Sequence, residues 1–535
     1  MDNLLDSDWI PVRRRDGTAA LIRPADITSD IATNPIVDIE SPRPDFRAAL
    51  YQFLIGLLQS CCEEVCNDAD WEALYDAPPT PERLSAWFEP VADAFKVAGS
   101  GPQFMQDPSV AGEAGRPISE LLIGTPTGKT LKDNTDHFVK RSNAGGMALV
   151  SAVTALLTLQ INAPAGGAGY RTGLRGGGPL TTLLLAPDEE LAGEPVAPAL
   201  WSSLWLNVLA RPDHLLSSGN PKRNAMADRF PWMGAVRVSD KRGVATTPDD
   251  AHPDQMYWSL PRRVWLHESQ QAGHCSVSGE ACEALVESYS GKNYGVNYTG
   301  GWVHSLSPHA RNKDGLMLPL HPQPGGIGYR HWASLALGVD DKRAARVVTQ
   351  FHHRDLGMPC RLWAFGADFD NMKVRAWYES TLPIYSLRGR SRQLVELTVP
   401  DLIEAAEQCA YALRTAVKDA WFSAGQTLRG DLSMVTQSFW DRTEPDFYLR
   451  LQQLVTTAGA QADERASVLS QPVRLRWCQD LSRAAEELFG QFNLRAGIEH
   501  ADPERITGAR KRLRKFLYGK KLPTLLQLEE TTHAS

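Results

Sequence analysis

Cysteine is scarce in this sequence, eight residues among 535. That density is too low for a disulfide framework, so a reducing cytoplasm is the expected setting. Long apolar runs are missing as well. A membrane-spanning helix needs roughly 20 apolar residues, and the longest stretch here, Ala48–Cys62, carries Gln52 and Gln59 and reads as a buried helix. The opening MDNLLDSDWIPVRRR puts acids ahead of its basic cluster and has no apolar leader core. An excess of positive charge is absent too. The net charge is −7, which argues against a surface coated in nucleic acid but leaves room for local basic sites. No G-x-S-x-G, H-E-x-x-H or Cys/His nucleophile arrangement is present. No residue is therefore assigned a catalytic role.

What is present is ordinary for a globular chain: 43% hydrophobic and 22% charged residues. The length calls for two or three domains. Phe46–Cys66 has apolar residues at helical spacing over four turns, and Pro81–Val97 reads as a second helix. Met147–Ile161 runs without charge, as in a buried helix, and Pro164 stops it. Leu180–Leu185 reads as a buried strand, and Arg346–Phe351, Arg361–Phe365 and Val374–Tyr378 as short strands. Regions 211–257 and 305–327 are rich in Pro, Asp, Ser and Gly and read as loops. The middle of the chain mixes α and β without regular βαβ alternation.

Near residue 390 the character changes. Leu402, Ala406, Cys409, Leu413, Ala416, Val417 and Ala420 share one helical face, with Pro400-Asp401 as a start signal. A second helix covers about 431–457, interrupted near Pro445. A third follows Pro472 and carries Val473, Trp477, Leu481, Ala484, Leu488 and Phe492 on one stripe. A fourth begins at Asp502-Pro503 with Ile506, Leu513 and Phe516. The expected fold class is α+β: a large mixed N-terminal domain, 1–390, followed by an antiparallel four-helix bundle, 391–535.

The stretch Ala163–Pro179, APAGGAGYRTGLRGGGP, holds seven glycines in seventeen residues, with Arg171 and Arg175 its only charges. Glycine admits positive φ and close approach of another molecule. The pattern therefore points to a loop whose main chain meets a polyanion or a base edge. Two familiar anion-binding motifs do not fit. Gly167-Ala-Gly169-Tyr-Arg-Thr-Gly173 has its third glycine one place late for a dinucleotide fingerprint, and a helix precedes it. Gly124-Thr-Pro-Thr-Gly128-Lys129-Thr130 is one residue short of a P-loop, and Pro126 removes a donor. On spacing alone a tight surface turn is the stronger reading. Cys61, Cys62 and Cys66 read as free thiols on an apolar helix. Cys275 and Cys282 lack zinc spacing.

Several segments together resemble one family, CasA, the large subunit of the type I-E CRISPR Cascade complex. They are Asn3-Leu4-Leu5 with Trp9-Ile10-Pro11-Val12, Pro102–Gln106, Gln160–Pro164 through Thr182, Trp302–His304 with Ser307-Pro308, and Val347–Phe351. The resemblance implies a non-catalytic subunit without a cofactor that reads the protospacer-adjacent motif (PAM) in the minor groove of double-stranded DNA. It further implies help in melting that duplex for guide RNA pairing and in recruiting a nuclease-helicase in antiviral defence. The implied partners are target DNA, the 5′ end of the guide RNA and the other Cascade subunits, with no membrane. A glycine loop aligns with Gly166, Gly167, Ala168 and Gly169, and the backbone of Ala168 is the contact of most interest. A lysine finger aligns with Lys292, followed by Asn293, and a wedge with Asn371 and Met372. Arg171 and Arg175 are expected near DNA phosphates. A loop that holds guide RNA or docks subunits is expected within 129–141, with Lys129, Lys132, Phe138, Lys140 and Arg141. Of two cysteine pairs that some members carry, only Cys275 remains, so no metal is expected. The rival readings are a scaffold subunit that reads no bases and a P-loop nucleotide-binding enzyme.

Overall fold

The computed structural model describes residues 1–125, 145–191, 193–240, 244–269, 271–339, 342–422, 431–460, 466–495 and 502–528. The chain forms two compact units. The first comprises Met1–Gln323, Asp341–Arg354 and Cys360–Thr381. The second comprises Pro324–Asp340, Asp355–Pro359 and Leu382–Ser535. The second unit thus starts before the expected boundary at 390 and draws in two earlier segments.

The first unit opens with an antiparallel sheet of β1 (Ile10–Arg14), β2 (Ala19–Ile22) and β3 (Ile36–Ile39), in the order β2-β1-β3. Helix α1 (Pro44–Cys61) follows, with Pro44 in its first turn, where the missing N–H costs nothing. It is buried on every side, as its nearly continuous apolar sequence requires. Its two glutamines bond internally. Gln59 Nε2 donates to the Leu209 carbonyl at 3.0 Å, and the Leu209 N–H donates back to Oε1 at 2.7 Å. Phe53 of this helix sits in an aromatic core, edge-on to Trp9, Phe95, Phe104 and Trp258 at 5.2–6.0 Å. Each such pair adds about 0.5–1.5 kcal/mol beyond area burial.

Two three-stranded sheets position the candidate site. One contains β4 (Gly115–Pro117), β6 (Arg263–Glu268) and β7 (Val286–Lys292), with β7 in the centre. The other contains β5 (Thr181–Leu185), β8 (Cys360–Asp370) and β9 (Lys373–Ile384), with β8 in the centre. Helix α2 (Leu149–Asn162) leads directly into the glycine-rich stretch. The segment expected as a strand at 346–351 is instead helix α3 (Arg346–Arg354). Val347, Val348 and Phe351 are buried at i, i+1 and i+4, a helical face that the β-branched pair disguised. The loop regions contain short pieces of their own, including Arg211–Leu215, Met226–Arg229 and the strands His309–Arg311 and Met317–Pro319.

The second unit carries α4 (Gly389–Trp421), α5 (Ser433–Ala460), α6 (Ala466–Arg495) and α7 (Pro503–Tyr518). All seven residues of the stripe read for α4 and all six for α6 are buried. Pro400, Pro445 and Pro472, expected to start or interrupt helices, lie inside α4, α5 and α6. An interior proline costs roughly 3 kcal/mol. The buried residues Leu394, Val395 and Val399 ahead of Pro400 offset this by extending the apolar face. In α7 the buried stripe is Ala509, Leu513 and Leu517, offset from the expected one. Tyr329 anchors the early segment in this unit. Its ring stacks on Phe447 at 4.5 Å, and its hydroxyl pairs with Thr443 Oγ1 at 2.8 Å. No helix among the described residues is long and apolar enough to cross a membrane.

Candidate nucleic-acid interface

Three segments far apart in sequence meet around one cleft in the first unit, whose lining includes Gly169, Lys292, Asn293 and Met372. The glycine loop follows the end of α2. Gly166, Gly167 and Gly169 have φ of +144°, +78° and +77°. Gly167 and Ala168 are exposed at its tip. A Cβ on Gly166 would lie 2.7 Å from Met372 Cγ, and one on Gly169 would lie 2.8 Å from the Tyr294 ring. Both positions therefore need glycine twice over, for conformation and for contact.

The second segment locks onto this loop through the backbone. Asn293 Nδ2 donates to the Ala168 carbonyl at 2.7 Å, and the Tyr294 N–H donates to the Gly169 carbonyl at 2.8 Å. Tyr294 has φ +65°, a conformation that costs a non-glycine residue free energy. Its surroundings hold it there. Its carbonyl accepts the Ser239 N–H at 3.0 Å, and the buried Ser239 hydroxyl accepts from Arg171 Nε at 2.8 Å. The Arg171 guanidinium lies 5.7 Å from the centre of the Tyr294 ring. Gly169, Tyr294, Ser239 and Arg171 thus form a closed brace.

The third segment is the two-residue turn Asn371-Met372 between β8 and β9. Asn371 is exposed at φ +52°, which asparagine tolerates better than most residues. Met372 is half-buried against Gly166, so Asn371 alone forms the protruding tip. An ion pair between Arg375 and the buried Asp368, at 2.6 Å, stiffens the hairpin below the turn.

The cleft is cationic. Arg262 is buried, with Nη2 donating to the Pro164 carbonyl at 2.6 Å and its guanidinium 4.9 Å from the Tyr170 ring centre. Burial pulls its pKa down to about 10, so it keeps its charge at neutral pH. Gln160, at the end of α2, clamps this residue by donating to the Arg262 carbonyl at 2.9 Å and accepting its N–H at 3.0 Å. Tyr289, also in the lining, is pushed up to about 12 by burial and stays neutral. At the end of β7, Lys292 Nζ lies 2.8 Å from Glu113 Oε1.

The model of the family described as CRISPR-associated protein Cse1 matches residues 3–488. The chain belongs to the Cse1 family. Its fold is similar to that of Thermobifida fusca Cse1, with a TM-score of 0.68 at 15% identity over 98% of both chains. It is also similar to Cse1 from Acidimicrobium ferrooxidans, with a TM-score of 0.65 at 16% identity over 98% of this chain and 99% of that one. A chain of a structure described as a CRISPR RNA-guided surveillance complex gives 0.66 at 16% identity, covering 97% and 99%.

In this Cse1 family member, Arg175 departs from its expected place. It is 5% exposed and cannot reach a DNA phosphate. Its guanidinium donates to Gln52 Oε1 at 2.6 Å, Thr181 Oγ1 at 3.0 Å and Ser307 Oγ at 3.2 Å. Arg175 is an internal brace that ties the loop to α1 and β5. Replacing it with Met should lower thermal stability by about 2–4 kcal/mol, because three buried polar partners lose a donor. The same change should leave the salt slope of DNA binding unaltered, whereas a slope reduced by about one would restore the phosphate contact. Arg171 likewise turns toward the protein, onto Ser239 and Tyr294.

Lys129, Lys132, Phe138, Lys140 and Arg141 lie outside the described residues of this Cse1 chain. The segments around Ser151 and Cys275 touch each other through hydrogen bonds. Cys275 Sγ donates to Ser151 Oγ at 3.3 Å, and the Ser276 N–H donates to the Gly146 carbonyl at 3.0 Å. Tyr294, Ser239, Arg262 and Glu113 carry no mark of their role in the sequence, and Gln160 figures there only at the start of a resembling segment. Tyr294 directly follows the lysine segment, but its left-handed backbone leaves no mark on composition. Ser239 and Glu113 are brought in only by tertiary pairing.

Proposed function

We propose that this Cse1 family member is the non-catalytic large subunit of a type I-E Cascade complex and reads the PAM through the minor groove of duplex DNA. The observation that carries the reading is the convergence just described: Met372 on Gly166, Asn293 on Ala168 and Tyr294 on Gly169. Tyr294, held at φ +65° against the glycine loop by its hydrogen bonds, adds to this reading.

Each part has a physical role in this reading. The minor groove distinguishes A·T from G·C chiefly by the guanine amino group. Main chain at Gly166, Gly167, Ala168 and Gly169 approaches that groove without bulk and accepts or rejects the amino group. Asn293 fixes the Ala168 carbonyl in one orientation. Lys292 supplies a cation to groove acceptors. Asn371 inserts beside the first base pair, where unstacking costs a few kcal/mol. Guide RNA then pairs with the opened strand, a division of labour in which protein reads the motif and pairing reads the sequence. The basic 129–141 stretch serves the guide RNA 5′ end or a neighbouring subunit, and a nuclease-helicase joins after target capture. The surveillance complex that contains a chain of similar fold supports this assembly.

The test is a gel shift of the complex reconstituted with this chain, using PAM-bearing and PAM-mutated duplexes of equal guide complementarity. The reading predicts strong preference for the first. Equal binding would instead favour a scaffold that reads no bases.

A further inference from the structure

The lysine finger is not free in this structure, and the residue that holds it is placed by strand register. β7 pairs antiparallel with β4 through Ser288 with Pro117, Tyr289 with Arg116 and Ser290 with Gly115. Continuing that register by two residues sets Lys292 opposite Glu113. The Ser290 hydroxyl donates to the Glu113 carbonyl at 2.6 Å and fixes this backbone. The side chains then meet at 2.8 Å. A second cation near Glu113, Arg263, is engaged by Asp107 at 2.7 Å and by Ser109 at 2.9 Å. The hydrogen bond from Lys292 holds the Glu113 carboxyl below its ordinary value, so it is ionised at neutral pH.

We propose that Glu113 is an internal competitor for Lys292, a positioning residue that draws the lysine back from the DNA and limits residence on sites that offer a PAM but no guide match. This inference rests on the lysine-finger reading. The strength of the pair suits the task. Its side chains are 55% and 42% exposed, so water screens the pair and it competes for the lysine without withholding it altogether. A motif of a few base pairs recurs throughout any long DNA, so a reader that held every copy tightly would stall. A carboxylate fixed by strand pairing beside the finger shortens each such visit at no cost to a fully paired target, which guide pairing holds.

The test uses the reconstituted complex and a duplex with the PAM but no guide complementarity. Glu113→Gln, and independently Glu113→Ala, should slow dissociation two- to fivefold with little change in association rate or melting temperature. The gain should shrink at high salt, where the pair in the parent is already screened. In a Lys292→Ala background, Glu113→Gln should have no effect on dissociation. A gain that persists there would show simple repulsion of DNA by the carboxylate and overturn the proposal. Faster dissociation in Glu113→Gln would show that the pair presents the finger, again overturning it. If Lys292→Ala alone leaves PAM binding intact, the finger reading itself fails, a result distinct from the other two.

Discussion

Lys292→Ala is expected to reduce binding of a closed, guide-matching duplex by about ten- to a hundredfold, while a target opened in advance stays bound within about twofold. A groove contact contributes about 1–3 kcal/mol. It matters only while the duplex must be recognised and melted. Asn371→Gly should behave the same way. Glycine is the right replacement there because Asn371 sits at φ +52°. Alanine would add about 1 kcal/mol of left-handed strain to the loss of the side chain. Paired affinity measurements on closed and bubble duplexes check both variants. Equal losses on the two substrates would mean that these residues act after opening.

Gly169→Val carries the second large effect, at least a tenfold loss of PAM-dependent binding. The substituted residue would sit at φ +77° with its Cβ 2.8 Å from the Tyr294 ring. A β-branched residue is a genuine outlier there, and relief requires breaking the Gly169–Tyr294 hydrogen bond. That moves the loop away from Lys292 and Asn293 together. Gly169 is half-buried and its carbonyl holds Tyr294, so the melting temperature should fall as well, through one strained residue and one lost hydrogen bond. Gly169→Ala should show the same direction with a smaller loss. Intact PAM discrimination in Gly169→Val, measured by duplex titration, would mean that the loop conformation does not matter.

Much of the site was legible because its signals are local. Seven glycines in seventeen residues mark a loop with positive φ whatever the fold, and the stripe of Trp477 and its neighbours marks a buried helix face. What was not legible depends on tertiary pairing. Arg175 looks like a phosphate ligand in sequence, yet its partners Gln52 and Ser307 come from segments over a hundred residues away. Glu113 reaches Lys292 only because β4 pairs with β7. The prolines of α4, α5 and α6 misled for a thermodynamic reason. A local penalty near 3 kcal/mol is small beside the burial of a helix some thirty residues long. The strand expected at 346–351 failed because a β-branched pair satisfies strand propensity and a helical face alike.

In the proposed reading base identity comes from the minor groove, and purine analogues separate that groove from the major one. The substrate is a duplex in which one PAM position has been changed to G·C and binding by the reconstituted complex is lost. Inosine in place of that guanine removes the minor-groove amino group and leaves the major-groove acceptors. 7-Deazaguanine removes a major-groove acceptor and leaves the amino group. The geometry of the Gly166–Gly169 tip, Lys292 and Asn371 predicts that inosine restores affinity and 7-deazaguanine does not. Restoration by 7-deazaguanine alone, or by neither analogue, would contradict minor-groove reading by this surface.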